Sequence, residues 1–402
     1  MTTLKAEIVE LIRQEGPIGV GRYMALALGH PRHGYYMTRD PLGAEGDFTT
    51  APEISQMFGE LVGLWAAHAW QAIGAPQRFR LVELGPGRGT LMADMLRATR
   101  IVPGFHAALS IHLVETSPVL RGRQAAALTG FEPVWHDTVA GALDGPVIAV
   151  ANEFLDALPL DQFVMTPEGW RERLLGLDSE GELFWGLGAP PSPLAGEGWG
   201  EGSRHAARSA VSANDAGLRD PSSAPAGHLL PQGEKGAVAI GAVFEVPFVA
   251  LDIVAQLAGH LASAGGAALL IDYGSVRSGF GDTLQAMKRH AFVDPLAEPG
   301  EADLTVHVDF ERLGQVALKA DAALHGPATQ RDFLVALGLP QRAQALSLKA
   351  SADQRVAISD AFDRLIAPGE TGMGDLFKVL ALSQRNLPPL PGFDLHRLPD
   401  RG

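Results

Sequence analysis

The 402-residue chain contains no cysteine. That absence rules out disulfides, thiolate metal sites and thiol catalysis together, and with them the zinc-ribbon and dithiol-redox classes. Basic residues are also in short supply: 32 Lys and Arg stand against 46 Asp and Glu, a formal charge of −14. A field of that sign repels phosphate backbones and anionic membranes, so nucleic acid is not expected as a partner, whereas a basic protein or a cationic ligand suits it. An unbroken apolar run is missing too. The longest apolar stretch, Val246 to Ile271, is interrupted by Asp252, Gln256 and His260; it is expected to form an amphipathic helix followed by a strand, with no membrane insertion. The opening "MTTLKAEIVELIRQEG" carries Glu7, Glu10 and Glu15 and has neither the apolar run of a signal peptide nor the Arg-rich character of a transit peptide, which predicts a cytoplasmic protein.

What is present is ample material for a core, since 46% of the residues are hydrophobic. Apolar residues recur at helical spacing over Leu4 to Gln14 and Met57 to Ile73. Between them runs "HPRHGYYMTRDPLGAEGDFTTAPEIS", a loop long enough to predict a functional role. From Phe79 onward, short β-rich runs alternate with helical stretches: "FRLVEL", a helix from Thr90, "LSIHLVE", "FEPVWH", "PVIAVANE", a polar helix and hairpin region, then "AALLIDYG". This alternation predicts an α/β fold whose parallel sheet carries helices on both faces. "DAALHG", a helix from Gln330 and "LFKVLAL" extend the sheet almost to the end, which favours one elaborated domain over 1–402. Gly188 to Ala237 has no periodicity and is rich in Gly, Pro, Ser and Ala, and within it "PSPLAGEGWGEG" and "LLPQGEKG" resemble the translated arms of an inverted repeat element of bacterial genomes. It is expected to be a disordered insertion between two strands, the alternative being a docking role for Trp199.

The chemistry starts in "LVELGPGRGTLMADML", where Glu83 precedes Gly85, Pro86, Gly87 and Gly89. A strand that ends in such a turn and opens a helix lets a ligand approach the backbone closely. A P-loop needs Lys and Ser/Thr after its glycines, and Thr90 and Leu91 stand there instead. A dinucleotide site expects its third glycine one residue later, and the carboxylate of Glu83 would repel a pyrophosphate. That carboxylate would attract an ammonium or a sulfonium. Glu115, at the end of "LSIHLVE", stands where an acid accepts ribose hydroxyls in both dinucleotide and methyltransferase folds. The plainer alternative makes Glu83 and Glu115 surface acids at strand ends.

The E-x-G-x-G-x-G spacing resembles motif I of class I S-adenosylmethionine-dependent methyltransferases. More specifically, "GDFTTAPEISQMFGE", "ANEFLDALPLDQF", "LLIDYG", "GDTLQAMKRHAFVDPLAEPGEADLTVHVDF" and "MGDLFKVL" resemble the MidA-like family, which comprises the mitochondrial complex I assembly-factor protein arginine methyltransferases and their bacterial relatives. The resemblance implies a seven-stranded class I (Rossmann-like) methyltransferase fold with an N-terminal helical region and inserted lid segments. It also implies S-adenosyl-L-methionine as cofactor and a protein substrate, the 49-kDa-type subunit of complex I, dimethylated symmetrically on arginine. Mitochondrial members sit in the matrix. On this frame 1–77 supplies N-terminal helices and a cofactor-covering loop, 78–274 the cofactor-binding core, 275–320 a substrate-side lid and 321–402 the elements that complete the sheet.

An arginine guanidinium resists deprotonation at neutral pH by about 7 to 9 kcal/mol, so an acid that grips it and takes the proton during transfer is the expected device. Reacting groups of an open parallel sheet sit at the carboxyl ends of its strands. That places Asn152, Glu153 and Asp156 at the chemistry, with Glu153 the main guanidinium-binding acid and Asp156 its partner; the alternative makes Asp156 the cap of a following helix. Asp47, Thr49 and Thr50 are expected to close over the cofactor, with Glu53 either capping the next helix or touching substrate. Trp135, His136 and Asp137 follow the third strand, where the adenine is expected. Tyr273 is expected to line the acceptor channel, and His290, Asp303, Thr305, His307 and Asp309 to form a substrate-side network, helix capping being the alternative. His290 and His307 lie too far apart in sequence to suggest a metal, and none is expected.

Overall fold

The computed structural model describes residues 3–38, 49–188, 238–369 and 372–393. Asp47 and nearly all of the insertion, 189–237, lie outside the described residues. Contacts divide the chain into two interleaved compact units: Met1–Arg39, Ala157–Asp252 and Gly279–Val306 form one, and Asp40–Asp156, Ile253–Ser278 and His307–Gly402 the other.

The larger unit is built on β1 (Phe79–Leu84), β2 (Leu109–Val114), β3 (Val134–His136), β4 (Val147–Asn152), β5 (Gly266–Ser275), β6 (Ala323–Thr329) and β7 (Phe377–Ser383). They lie in the order β6-β7-β5-β4-β1-β2-β3, and the short strand Val308–Asp309 pairs with β5 as an eighth. The strands β1 to β5 are parallel, and β7 runs antiparallel between β5 and β6. All six residues of β4 and the first seven of β5 are buried, the unbroken apolar run of a sheet covered on both faces. From β1 the chain steps outward through β2 and β3, then returns to the other side of β1 with β4. The order thus reverses between β1 and β4, and a crevice opens at the carboxyl ends of strands at such a reversal.

Helix Gln56–Ala72 packs against helix Thr90–Thr99, which leaves the glycine turn. Two glycines make the crossing close: a Cβ on Gly63 would lie 2.6 Å from the Cα of Met95, and one on Gly59 would lie 2.6 Å from the Cβ of Asp94. The buried carboxylate of Glu60 fixes the same crossing, gripped by the Nε and one Nη of Arg342 at 2.7 and 3.0 Å and by Arg97 at 3.1 Å.

Two sequence expectations need correction. "FEPVWH" yields only Val134–His136 as strand, because Pro133 has no N–H to give to the ladder. The polar helix expected after Glu153 does not form: among the described residues between Glu153 and Val243 the chain forms only the antiparallel strands Asp161–Thr166, Gly169–Leu177 and Leu183–Leu187, the hairpin part of that expectation. The charges of Gly169–Leu177 hide its strand character in sequence. Arg173 spends its charge inside the unit, donating to Gln162 at 2.8 Å and Asp282 at 2.6 Å.

These strands belong to the smaller unit, where Ile18–Gly19, Gly169–Leu177, Asp161–Thr166 and Val243–Val246 lie side by side, with Leu183–Leu187 also paired to Gly169–Leu177. Its core gathers Leu4, Ile8, Ile12, Tyr23, Met24, Tyr35, Leu160 and Leu175. A second sheet joins Ala291–Val293, Gln285–Lys288 and Asp303–Thr305. No helix among the described residues is long and apolar enough to cross a membrane.

Candidate active site

At the end of β1 the chain turns through Gly85, Gly87 and Gly89 with φ of +62°, +51° and +84°, the left-handed region that favours glycine. The Gly89 N–H closes the turn on the carbonyl of Pro86 at 2.7 Å. Close approach also demands these glycines: a Cβ on Gly85 would meet the Phe154 ring at 2.6 Å, and one on Gly89 the Cα of Gln124 at 3.2 Å. Glu83 lies directly beneath, buried, with one carboxylate oxygen lacking any hydrogen-bond partner among the described residues. Burial pushes its carboxyl up to about 8, against the opposing pull of the Met92 N–H. A buried acid with an unsatisfied oxygen beside a bare backbone turn suits a cationic ligand, whose charge would favour the ionised form.

Glu115 follows β2 and is also buried, which raises its carboxyl, while the Ser117 N–H at 2.8 Å and the Gln124 amide at 3.1 Å hold it down. Gln124 is fully buried and ties the face together: it also donates to the Gly87 carbonyl at 2.8 Å and accepts from the Trp135 indole at 2.8 Å. The sequence gives no sign of this residue, because it lies on the helix that follows Glu115 and matches no motif. Trp135 and His136 stand within β3 rather than after it; His136 pairs with His112 at 2.8 Å, and Asp137 with Arg121 at 2.6 Å.

On the other side of the reversal, Glu153 follows β4 with φ +51°, rare for a residue with a side chain. Its N–H donates to the Ile271 carbonyl at 2.9 Å, and its carboxylate accepts from the Ala51 N–H at 2.9 Å and the Asn152 amide at 3.0 Å. Burial raises Glu153 to about 7. The carbonyl oxygen of the Asn152 side chain is buried without a partner among the described residues. Asp156 is buried and its N–H donates to Asp272 at 3.2 Å; no helix follows for it to cap. Asp272, which lies in the "LLIDYG" stretch but has no role assigned to it from sequence, is fully buried and accepts four backbone N–H groups.

The segment before helix Gln56–Ala72 reaches the same turn. Thr50 precedes the short helix Ala51–Ile54, its carbonyl accepting from Glu53 at 2.9 Å, and Thr49 lies just before it. The helix after it is capped by Ser55, not by Glu53. Glu53 instead accepts from Thr90 at 2.5 Å and faces Arg88 at 3.6 Å. Tyr273 stacks edge-on against His307 at 5.2 Å, next to Phe377. Burial, then the charge of Lys378, lowers His307. Asp309 caps helix Phe310–Lys319, accepting from the Arg312 N–H at 3.1 Å. The expected substrate-side residues divide between the units: His307 and Asp309 belong with Tyr273, whereas His290, Asp303 and Thr305 belong to the smaller one. There His290 is exposed at a hairpin tip, Thr305 pairs with Gln285, and Asp303 accepts from the Tyr36 hydroxyl at 2.9 Å.

The sheet order and the glycine turn at its reversal define a class I methyltransferase. The family model of S-adenosyl-L-methionine-dependent methyltransferases matches residues 61–328, and the chain belongs to that family. It is 36% identical over 392 residues to the mitochondrial protein arginine methyltransferase NDUFAF7 of Danio rerio, across 91% of this chain and 83% of that protein. The Homo sapiens protein of the same name is 33% identical over 407 residues, covering 95% and 83%. A Burkholderia thailandensis protein crystallised with S-adenosyl-homocysteine matches with a TM-score of 0.73 at 27% identity, over 97% of this chain and 92% of that one. A native crystal structure from the same species gives 0.75 at 28% identity, over 98% and 94%. The chain is accordingly an S-adenosylmethionine-dependent methyltransferase, with S-adenosylmethionine as cofactor.

Proposed function

We propose that the chain methylates an arginine side chain of a protein partner, with Glu153 as the acid that binds the guanidinium. The observation that carries this reading is the placement of Glu153: half-buried at the carboxyl end of β4, one residue from the Phe154 ring that packs on Gly85. The names of the relatives, protein arginine methyltransferases, support the same acceptor. From the family resemblance we take the 49-kDa-type subunit of respiratory complex I as the target, symmetric dimethylation as the product and complex I assembly as the role. A cytoplasmic location is likewise our proposal; the named relatives are mitochondrial.

S-adenosylmethionine, when bound, supplies a methyl group on a cationic sulfur. Gly85, Pro86, Gly87 and Gly89 offer it bare backbone, and Glu83 a buried negative charge. Glu115 would accept the ribose hydroxyls, Trp135 with His136 and Asp137 would flank the adenine, and Thr49 and Thr50 would cover it. On the acceptor side Glu153 holds the guanidinium in a fork and takes its proton as the methyl arrives, which spares the enzyme a prior deprotonation. Asn152 presents its free carbonyl oxygen to the same group, Asp156 partners Glu153, and Tyr273 with His307 walls the channel.

Incubation with methyl-labelled S-adenosylmethionine and the purified 49-kDa-type subunit, followed by mass spectrometry, tests the proposal. One arginine should gain a methyl group and then a second on its other terminal nitrogen. Cofactor binding without transfer to any protein would replace the enzyme reading with that of a non-catalytic assembly chaperone.

A further inference from the structure

We infer that Asp272 is the positioning residue of the acceptor side: it ties down the turn that carries Glu153 and, by keeping its own negative charge, makes Glu153 the member of the pair that holds a proton until a cation arrives. The inference rests on the acceptor role proposed for Glu153 and deepens it.

The geometry of the turn comes first. One oxygen of Asp272 accepts the N–H groups of Phe154, Leu155 and Asp156 at 3.2, 2.9 and 3.2 Å, and the other accepts that of Tyr273 at 2.9 Å. Three consecutive N–H groups aimed at one oxygen hold the chain in a tight cradle immediately after Glu153. A left-handed conformation costs a residue with a side chain about 1 to 2 kcal/mol, so Glu153 stays there only while its surroundings insist. Asp272 supplies that insistence from the next strand, where it sits one residue after Ile271, whose carbonyl takes the Glu153 N–H at 2.9 Å.

Charge follows from the same contacts. Burial raises both carboxyls, and the charge of Glu153 raises Asp272 further; repulsion between like charges is mutual, so two carboxylates this close do not both ionise readily. The four N–H groups on Asp272 favour its charged form, whereas Glu153 has two donors, Ala51 and Asn152, both on one oxygen. The proton therefore resides on Glu153. Other charged groups facing the pair leave this order intact. Arg364 on helix Ala352–Ile366 pulls Glu153 down but does not offset burial. Lys378, paired with Asp272 across β7, directs its ammonium to the carbonyls of Asp375 and Leu376. Asp156 lies buried in the same turn. A guanidinium docking at Glu153 would then displace the proton to solvent, so acceptor affinity should improve as pH rises through about 7.

Infrared titration of the cofactor-free, acceptor-free protein tests this. The wild-type minus Glu153→Gln difference should contain a protonated-carboxyl band that disappears near neutral pH; Glu83 is common to both spectra and cancels. In Asp272→Asn the midpoint should fall by about one pH unit or more, because a like charge is gone. The pH at which the acceptor KM improves should fall by the same amount, with cofactor affinity within about threefold of wild type. A merely structural Asp272 would lower kcat and leave both midpoints unmoved, and that result overturns the inference. If Asp272→Asn does not fold, the wild-type difference still decides: a titrating band that persists in Glu153→Gln puts the proton elsewhere. Failure of the arginine reading shows itself separately, as absent methyl transfer by the wild type with the band in place.

Discussion

The side-chain amide of Gln124 donates to the carboxylate of Glu115 at 3.1 Å, joining the acid after β2 to the glycine turn after β1 through a second bond to Gly87. With its oxygen it also holds the Trp135 indole. Gln124→Leu keeps the volume and removes all three bonds. Each polar group left buried without a partner costs about 1 to 3 kcal/mol, so chemical denaturation should show a loss in that range or above. Calorimetric titration with S-adenosylhomocysteine should show affinity at least about tenfold weaker, since about 1.4 kcal/mol corresponds to tenfold. Unchanged affinity would remove Gln124 from the cofactor face.

Glu83 predicts an unusual dependence of stability on pH. Its folded-state carboxyl is raised from 4.5 to about 8, so the folded protein holds this proton more tightly than the unfolded chain. Its contribution is fully present below pH 4.5 and is lost as pH rises through about 8. Relative to Glu83→Gln, the cofactor-free wild type should therefore lose stability across that window. The variant should be the more stable of the two at high pH and should bind S-adenosylmethionine poorly. Parallel pH–stability curves for the two proteins would show that Glu83 does not carry this proton.

The His112–His136 pair acts in the opposite direction. Burial first, then the charges of Arg80 and His136, lower His112 from 6.5 to about 4. A lowered histidine contributes stability that is present above pH 6.5 and is lost as pH falls towards 4. Thermal melts of His112→Gln should show a weaker acid sensitivity than the wild type over that interval.

Gly63 sets the distance between helix Gln56–Ala72 and the helix that leaves the glycine turn. A Cβ there would meet the backbone of Met95 at 2.6 Å, and backbone cannot swing aside as a side chain can. Gly63→Ala should cost about 1 to 3 kcal/mol, the usual range for overpacking, and should weaken cofactor binding by shifting the turn. Gly259→Ala, where nothing lies within 4 Å of the added atom, is the control and should be neutral or better.

The residues legible in the sequence are those whose signal is local. Glu83 and its three glycines fall within seven positions, and the strand "FRLVEL" matches Phe79–Leu84 residue for residue. Gln124 and Asp272 matter because of register instead. Parallel pairing sets Ile271 beside Asn152, which puts Asp272 against the turn after Glu153, and no spacing along the chain announces that. The strand Gly169–Leu177 read as polar because its Arg and Glu side chains find partners only once the sheet has formed. At the end of the long N-terminal loop Glu53 reaches the glycine turn through Thr90, whereas Asp47 lies outside the described residues.

The central claim is that Glu153 takes part in methyl transfer rather than in holding the fold. Single-turnover transfer from labelled S-adenosylmethionine to the arginine-bearing subunit, wild type against Glu153→Gln with cofactor affinity measured alongside, tests it most directly. The account predicts cofactor affinity within about threefold of wild type and a transfer rate lower by about 100- to 10,000-fold, the range for a lost acid–base group. Transfer at the wild-type rate by a folded Glu153→Gln protein would contradict it.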